Sequence, residues 1–353
     1  MKKSILIIIL FAVAASAQSG GQFEIKKSVI AGGGERSTGG SFAVNGTIGQ
    51  SLAGEPVTGG AFALNSGFWG GGRAGPSLLR TPFDYDGDRK ADFTVSRPSD
   101  NIWYLLRGTA GYTAMQFGIA GDKLAPADYD GDGKTDVAVF RPSTGTWYWF
   151  NSGSGTFQSS IWGAPGDLPV PADHDGDGKA DLVVFRPSNG TWYKRLSADG
   201  SFLILPFGTP EDKPIIGDFD GDTKTDLAVF RPSNSTWYFL RTTAGFTAQT
   251  WGITGDLPVP ADYDGDRKTD VAVFRPSTGQ WFRVLSGGSF DVQSWGQNGD
   301  KPVAADYDGD GRADIAVFRP INATWYFIAT TTGIGILPFG TSEDRPTPNA
   351  YVP

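Results

Sequence analysis

The chain has 353 residues, 39% of them hydrophobic, with 50 Gly and 23 Pro, and a formal net charge of −8. The apolar content is sufficient for a sizeable core and argues against disorder, and the negative charge argues against general nucleic-acid binding. There is no Cys, which excludes disulfides and a cysteine-linked lipid anchor, so any staple must be of another kind.

In chain order, the first feature is an export signal over residues 1–17. Lys2 and Lys3 precede an apolar run from Ile5 to Ala15, and Ala15-Ser16-Ala17 is a small-residue cleavage site that leaves Gln18 first. The apolar run is too short to span a bilayer as a helix, and no later run is long enough. The mature chain is therefore expected to be exported from a bacterial cell, secreted or at the surface, without membrane insertion. Removal of Lys2 and Lys3 takes the charge to −8 − 2 = −10. Residues 18–75 are Gly-rich and hold a small duplication, "GSFAVNGTIG" from Gly40 and "GAFALNSGFW" from Gly60, shifted by 20 residues. A pair of hairpins is predicted, serving as part of a closing blade, as a separate β-module or as a linker.

From residue 76 to 353 the chain repeats. Aspartate clusters begin at Asp84, Asp128, Asp173, Asp218, Asp262 and Asp306, at intervals of 44, 45, 45, 44 and 44 residues. Each unit carries four strand-like runs. In the third, "PVPAD" enters the cluster, "DLVVFRP" leaves it, "TWYKRL" follows an "SNG" turn, and the last ends at Phe207-Gly208. Four short strands per 44 residues is the size of one propeller blade, and helical signals are absent. The predicted class is all-β: a β-propeller of six to seven four-stranded blades, seven favoured, closed by strands from both termini. "DRPTPNAYVP" repeats the entering strand with Ala350 at the aspartate position, so the chain ends one strand into a further unit. A leftover strand at one terminus is a natural closure piece, because closure removes sheet edges.

Numbered from its first aspartate, each cluster has Asp at positions 1, 3, 5 and 9, Gly at position 4 and a basic residue at position 7. Calcium takes about six to eight oxygens at roughly 2.3–2.6 Å, and a loop supplies them from alternating positions. Carboxylates at 1, 3, 5 and 9 with the carbonyl of 7 form such a series, and Gly permits the sharp turn. The candidate metal residues are therefore Asp84, Asp86, Asp88, Lys90 and Asp92 in the first unit. Asp128, Asp130, Asp132, Lys134 and Asp136 follow, then Asp173, Asp175, Asp177, Lys179 and Asp181. The fourth set is Asp218, Asp220, Asp222, Lys224 and Asp226, and the fifth Asp262, Asp264, Asp266, Lys268 and Asp270. Asp306, Asp308, Asp310, Arg312 and Asp314 form the sixth. The basic residues would offer carbonyls and point their charges outward.

A calcium-binding helix-loop-helix hand fails here, since it wants glycine at its sixth position and glutamate at its twelfth. The twelfth position is apolar in this chain, as at Val139 and Val184, and lies in a strand-like run. Magnesium is the poorer fit because it keeps its waters. Turn formation alone would need only one or two of the carboxylates. Six calcium ions would move the charge from −10 to −10 + 12 = +2.

"DYDGDGKTDVAVFRP", with an aromatic-Gly pair closing each unit, resembles the FG-GAP/VCBS repeats of integrin-α-like β-propellers over Leu78 to Pro353. The resemblance implies about seven blades with calcium between the first and second strands of each. Its metal positions carry over to the aspartates of all six clusters, whereas Ala350 leaves the last unit without one. It also implies a binding or adhesion module.

Three further sets repeat. Trp103, Trp147, Trp192, Trp237, Trp281 and Trp325 are expected to pack between blades, with sugar stacking as the alternative. Arg97, Arg141, Arg186, Arg231, Arg275 and Arg319 are expected to pair with Asp122, Asp167, Asp212, Asp256, Asp300 and Asp344 on the face opposite the clusters. Asn189, Asn234 and Asn322 read as turn residues, and His174, the single His, fills a slot that is otherwise Tyr or Phe. There is no Cys nucleophile, no G-x-S-x-G elbow and no His pair for zinc. Of 38 acidic residues, 24 lie in clusters and six in the Asp loops, so no unique acidic constellation remains for catalysis. The expected function is a non-enzymatic, monomeric, calcium-stabilised binding or adhesion module for an extracellular protein or polysaccharide. The alternatives are a lectin with one sugar site per blade and a polysaccharide lyase or glycosidase.

Overall fold

A computed structural model describes residues 81–351 in full and, before them, six short strands between Ser19 and Leu64 by their backbone. The predicted signal lies outside the described residues. Residues 1–74 and 75–353 form two compact units.

In the first unit, Glu35–Gly39 pairs antiparallel with Phe42–Gly46, and Val57–Gly59 with Phe62–Leu64. The two halves of the duplication are thus two hairpins. A third, shorter pair joins Ser19–Gly20 to Phe23–Glu24.

The second unit is a β-propeller of six four-stranded antiparallel sheets, each built of consecutive strands paired in order. Blade 2 shows the plan: Lys123–Leu124, Val137–Arg141, Thr146–Asn151 and Thr156–Ile161. Blade 1 takes its first strand from the other end of the chain. Arg345–Pro346 pairs with Phe93–Arg97, which continues to Ile102–Arg107 and Gly111–Gln116. This corrects the favoured count of seven to six. The leftover C-terminal strand supplies the one strand that the first repeat lacks, so six repeats close upon themselves. The N-terminal hairpins lend no strand to any blade among the described residues.

Burial is greatest in the second strand of each blade and falls from there to the fourth. The second strands, such as Leu182–Arg186 and Val271–Arg275, are buried on both faces because each blade is sandwiched between two others. They read accordingly as unbroken β-branched runs. The fourth strands are outer edges and alternate, as in Gly245–Thr250, or are exposed throughout, as in Phe290–Ser294. All six repeated Trp side chains are fully buried. Trp147 packs with Phe140 of its own blade and with Leu182 and Val184 of the next, so the indoles cement blade to blade. Each indole Nε1–H donates to a main-chain carbonyl, from Phe117 O to Phe339 O, at 2.7–3.2 Å.

Candidate metal centre

In blades 2 to 6 each aspartate loop joins the first and second strands, in blade 1 the loop from Asp84 to Asp92 leads into the second strand alone, and in all six the first carboxylate folds the loop. Asp128 Oδ1 accepts the Gly131 N–H at 2.7 Å and Oδ2 accepts the Gly133 N–H at 2.9 Å. The same two bonds recur at Asp84, Asp173, Asp218, Asp262 and Asp306. Position 4 has a φ of 82–84° in every loop, a left-handed conformation that Gly adopts without Cβ strain.

The ninth-position aspartate ties three segments together. Asp136 Oδ2 accepts from Tyr129 N at 2.9 Å, and Oδ1 accepts from Ser152 N, in the hairpin between the third and fourth strands, at 2.7 Å. The third-position Asp220 reaches the same hairpin of its own blade through the Thr243 N–H at 2.9 Å. Six groups of three acidic side chains bring an oxygen from each within 4.8 Å of one another. They include Asp84, Asp86 and Asp92, and Asp128, Asp130 and Asp136. Asp173, Asp175 and Asp181, Asp218, Asp220 and Asp226, and Asp262, Asp264 and Asp270 follow the same pattern.

Positions 1, 3 and 9 therefore converge. Position 5 lies outside these groups of carboxylates. The fifth-position Asp132 accepts the Lys134 N–H at 2.9 Å and a hydroxyl from Ser152 at 3.1 Å. Equivalent hydroxyls come from Ser197, Thr242, Ser286 and Thr330. This row was missed from sequence, although its signal was present: each residue lies 24 after its cluster's first Asp. Blade 1 has Gly108 at that position, where a β-carbon would collide with Asp88 Oδ2.

The electrostatics fit a cation. Burial pushes Asp136, Asp181 and Asp270 up to about 6, and Asp92 and Asp314 up to about 7, with other loop carboxylates adding to the rise. Asp220 Oδ1 and Asp308 Oδ1 are buried without a hydrogen-bond partner. Convergent buried carboxylates, some with orphaned oxygens, form a donor set of hard oxygens suited to a divalent ion.

The loops also join one another. The N–H at position 8 donates to the position 1 carbonyl of an adjacent loop: Thr135 to Asp84, Ala180 to Asp128, Thr225 to Asp173, Thr269 to Asp218 and Ala313 to Asp262, at 2.6–2.7 Å. Ala91 donates to Asp306 at 2.6 Å, which closes the circle. The position 7 stems follow the same path. A β-carbon at Gly87 would meet Lys134 Cε at 3.0 Å, and one at Gly309 would meet Lys90 Cγ at 3.1 Å. The basic side chains thus lie across the neighbouring loop.

On the opposite face all six Arg–Asp pairs form. Arg141 Nε and Nη2 donate to Asp122 Oδ1 and Oδ2 at 2.9 and 3.0 Å, and Arg97 holds Asp344 likewise at 2.8 and 3.2 Å. Each guanidinium also stacks on the ring that follows the buried Trp, at 4.1–4.4 Å for Tyr104, Tyr148, Tyr193, Tyr238, Phe282 and Tyr326. The Trp and Arg repeats are therefore engaged internally, and the sugar-stacking alternative for the Trp row is overturned by its burial. Asn189, Asn234 and Asn322 each donate to the Tyr hydroxyl four residues on. His174 is buried, with Nδ1 2.7 Å from Thr225 O, and desolvation pushes its pKa down to about 3.

The FG-GAP-like repeat family matches residues 128–184, 218–273 and 262–317. No curated protein sequence matches the chain. Among solved structures, TolB from Acinetobacter baumannii is similar at 15% identity, with a TM-score of 0.52, over 75% of this chain and 67% of that one. An Agrocybe aegerita lectin that recognises non-reducing terminal N-acetylglucosamine is similar at 15% identity and a TM-score of 0.47, over 74% and 91%. Virginiamycin B lyase from Staphylococcus aureus is similar at 9% identity and a TM-score of 0.46, over 74% and 88%. At such identities the likeness concerns the fold alone. The matched segments and the Asp loops within them show that the closed ring of β-propeller blades carries FG-GAP-like repeats.

Proposed function

We propose that this protein is an extracellular binding module whose blades are stapled by calcium. The observation that carries the reading is the convergence of three acidic oxygens within 4.8 Å in five of the repeated loops, with buried oxygens left unpartnered at Asp220 and, in the sixth loop, at Asp308. Positions 1, 3 and 9 would hold the ion, and its charge would offset the repulsion among them. Aspartates at position 5 would stay with their Ser and Thr partners. The partner is an extracellular protein or polysaccharide that contacts loops on one face, and the role is binding rather than catalysis. In support of this, the repeated Asp and Arg side chains are committed to the loops and to ion pairs. Among the described residues, no helix is long and apolar enough to cross a membrane.

At ~1 mM free calcium, a site of ~10⁻⁴ M stabilises by about 1.4 kcal/mol, so six give about 8 kcal/mol. That is of the order of a whole domain's stability. Calorimetric melting with calcium and with chelator tests it. A fall of more than about ten degrees with chelator is expected, and an unchanged melting temperature would overturn the staple. A glycan array separates the partners, since a multivalent sugar signal identifies a polysaccharide and silence points to a protein.

A further inference from the structure

The inner strands that line the propeller axis break the repeat's symmetry. Their first residues are Lys123, Leu168, Lys213, Leu257, Lys301 and Arg345. Four of the six are cations, on a chain whose net charge is −8. Lys123, Lys301 and Arg345 line a cavity of about 380 Å³ on this axis, a size suited to a small molecule. Leu124, Val170 and Ile216 supply apolar wall. The C-terminal turn bounds the cavity toward the Asp loops. There Tyr351 donates to Pro126 O at 2.7 Å and Asn349 to Pro302 O at 3.0 Å.

The cations make no direct ion pair. Among the described residues, none of the four has a carboxylate oxygen within 4.0 Å. Lys123 and Lys301 donate instead to the main-chain carbonyls of Asp167 and Asp344, at 3.3 and 3.1 Å. The carboxylates of those two residues are already held by Arg186 and Arg97. Glu343, beside them, is bonded to Ser99. Burial lowers both ammonium pKa values; Asp167 offsets this in part for Lys123, where Lys213 adds to it, and for Lys301 Arg345 adds to it while Asp344 offsets it in part.

We propose that this axial cavity is an anion-binding site for a small ligand carrying two or more oxyanion groups, carboxylates or sulfates. Lys123, Lys301 and Arg345 would bind those groups, and the apolar wall would cover the ligand's body. A pre-formed cationic cup with low-dielectric walls concentrates field on such a ligand. The site stands apart from the calcium reading, because its residues belong to the inner strands and not to the Asp loops.

The test uses the calcium-loaded full chain at constant ionic strength and excess calcium. Melting temperature is followed against digalacturonate, sodium sulfate and the neutral disaccharide digalactose. Either anion is expected to raise the melting temperature, and digalactose is not. A response to digalacturonate alone identifies carboxylate ligands, and a response to sulfate alone identifies sulfated ones. Each of Lys123→Gln, Lys301→Gln and Arg345→Gln is expected to weaken anion binding roughly tenfold. The triple variant is expected to lose the response yet melt no lower than the parent without anion, because removing unpaired like charges relieves repulsion. The site is refuted if the parent does not respond, if the triple variant responds equally, or if the triple variant melts far below the parent.

Discussion

The ninth-position aspartate shows how one residue can be both a structural tie and a liability. Its two oxygens accept main-chain N–H groups from two segments, which favours the charged form. Burial and the neighbouring carboxylates disfavour it more strongly, and Asp92 and Asp314 are raised to about 7. A carboxyl whose folded pKa exceeds its unfolded value, about 3.9, binds more protons in the native state between the two pH values. The stability it contributes is complete below the unfolded pKa and is lost as pH rises through the folded one. Calcium-free protein is therefore expected to melt several degrees higher at about pH 5 than at about pH 8. Calcium competes with those protons, so the loaded protein should show the opposite slope over the same window. Calorimetry at the two pH values, with and without the ion, checks the sign; parallel slopes would remove these carboxylates from the site.

At the scale of the element, the unit is a loop and the hairpin that covers it. Thr242 reaches across 20 residues to Asp222, and its N–H reaches Asp226 at 2.8 Å. The hydroxyl holds the fifth-position carboxylate aside while the first, third and ninth converge. Thr242→Val keeps the shape and removes that bond, which is expected to cost about 1–2 kcal/mol and to weaken one calcium site of the six roughly tenfold. Isothermal titration reads this as one weak class beside the others; six unchanged sites would show that the hydroxyl is only a surface bond. Most of the loop was legible in sequence, because four aspartates crowded into nine residues repel one another unless a cation lies among them. The division of labour among them was not. Side chains at positions 1 and 5 have local main-chain donors, and only three-dimensional folding shows that the hairpin's Ser and Thr claim position 5. A Ser or Thr at a strand's end is too common to stand out unless the repeats are aligned at that column.

Closure belongs to the whole molecule. The repeat period and four-run script were sufficient for the propeller and for the leftover C-terminal strand, but they left the number of blades open, since a strand at the end can begin a seventh blade or complete the first. The answer depends on a pairing between Arg345–Pro346 and Phe93–Arg97, which no local pattern encodes. It is reinforced by Arg97 holding Asp344 across 247 residues, where every other pair spans 19. This difference is testable with two chemically equal substitutions. Removing the buried acid of such a pair, whose Arg stays partly exposed, costs about 1–3 kcal/mol, since the partner loses its counter-charge. In Asp212→Ala the first strand of blade 4, Lys213–Ile215, remains tied at both ends to the ring, so local opening is resisted. In Asp344→Ala the corresponding strand, Arg345–Pro346, has no loop joining it to the second strand of its own blade, so it can leave without unfolding anything else. Both variants are expected to melt lower. Only Asp344→Ala should raise amide exchange in Phe93–Arg97, by at least about tenfold, while the second strand of blade 4, Leu227–Arg231, keeps its protection in Asp212→Ala. Equal exchange in the two second strands would mean that the ring is held by its Trp-filled interfaces and its loop annulus, with the terminal strand adding cover rather than closure.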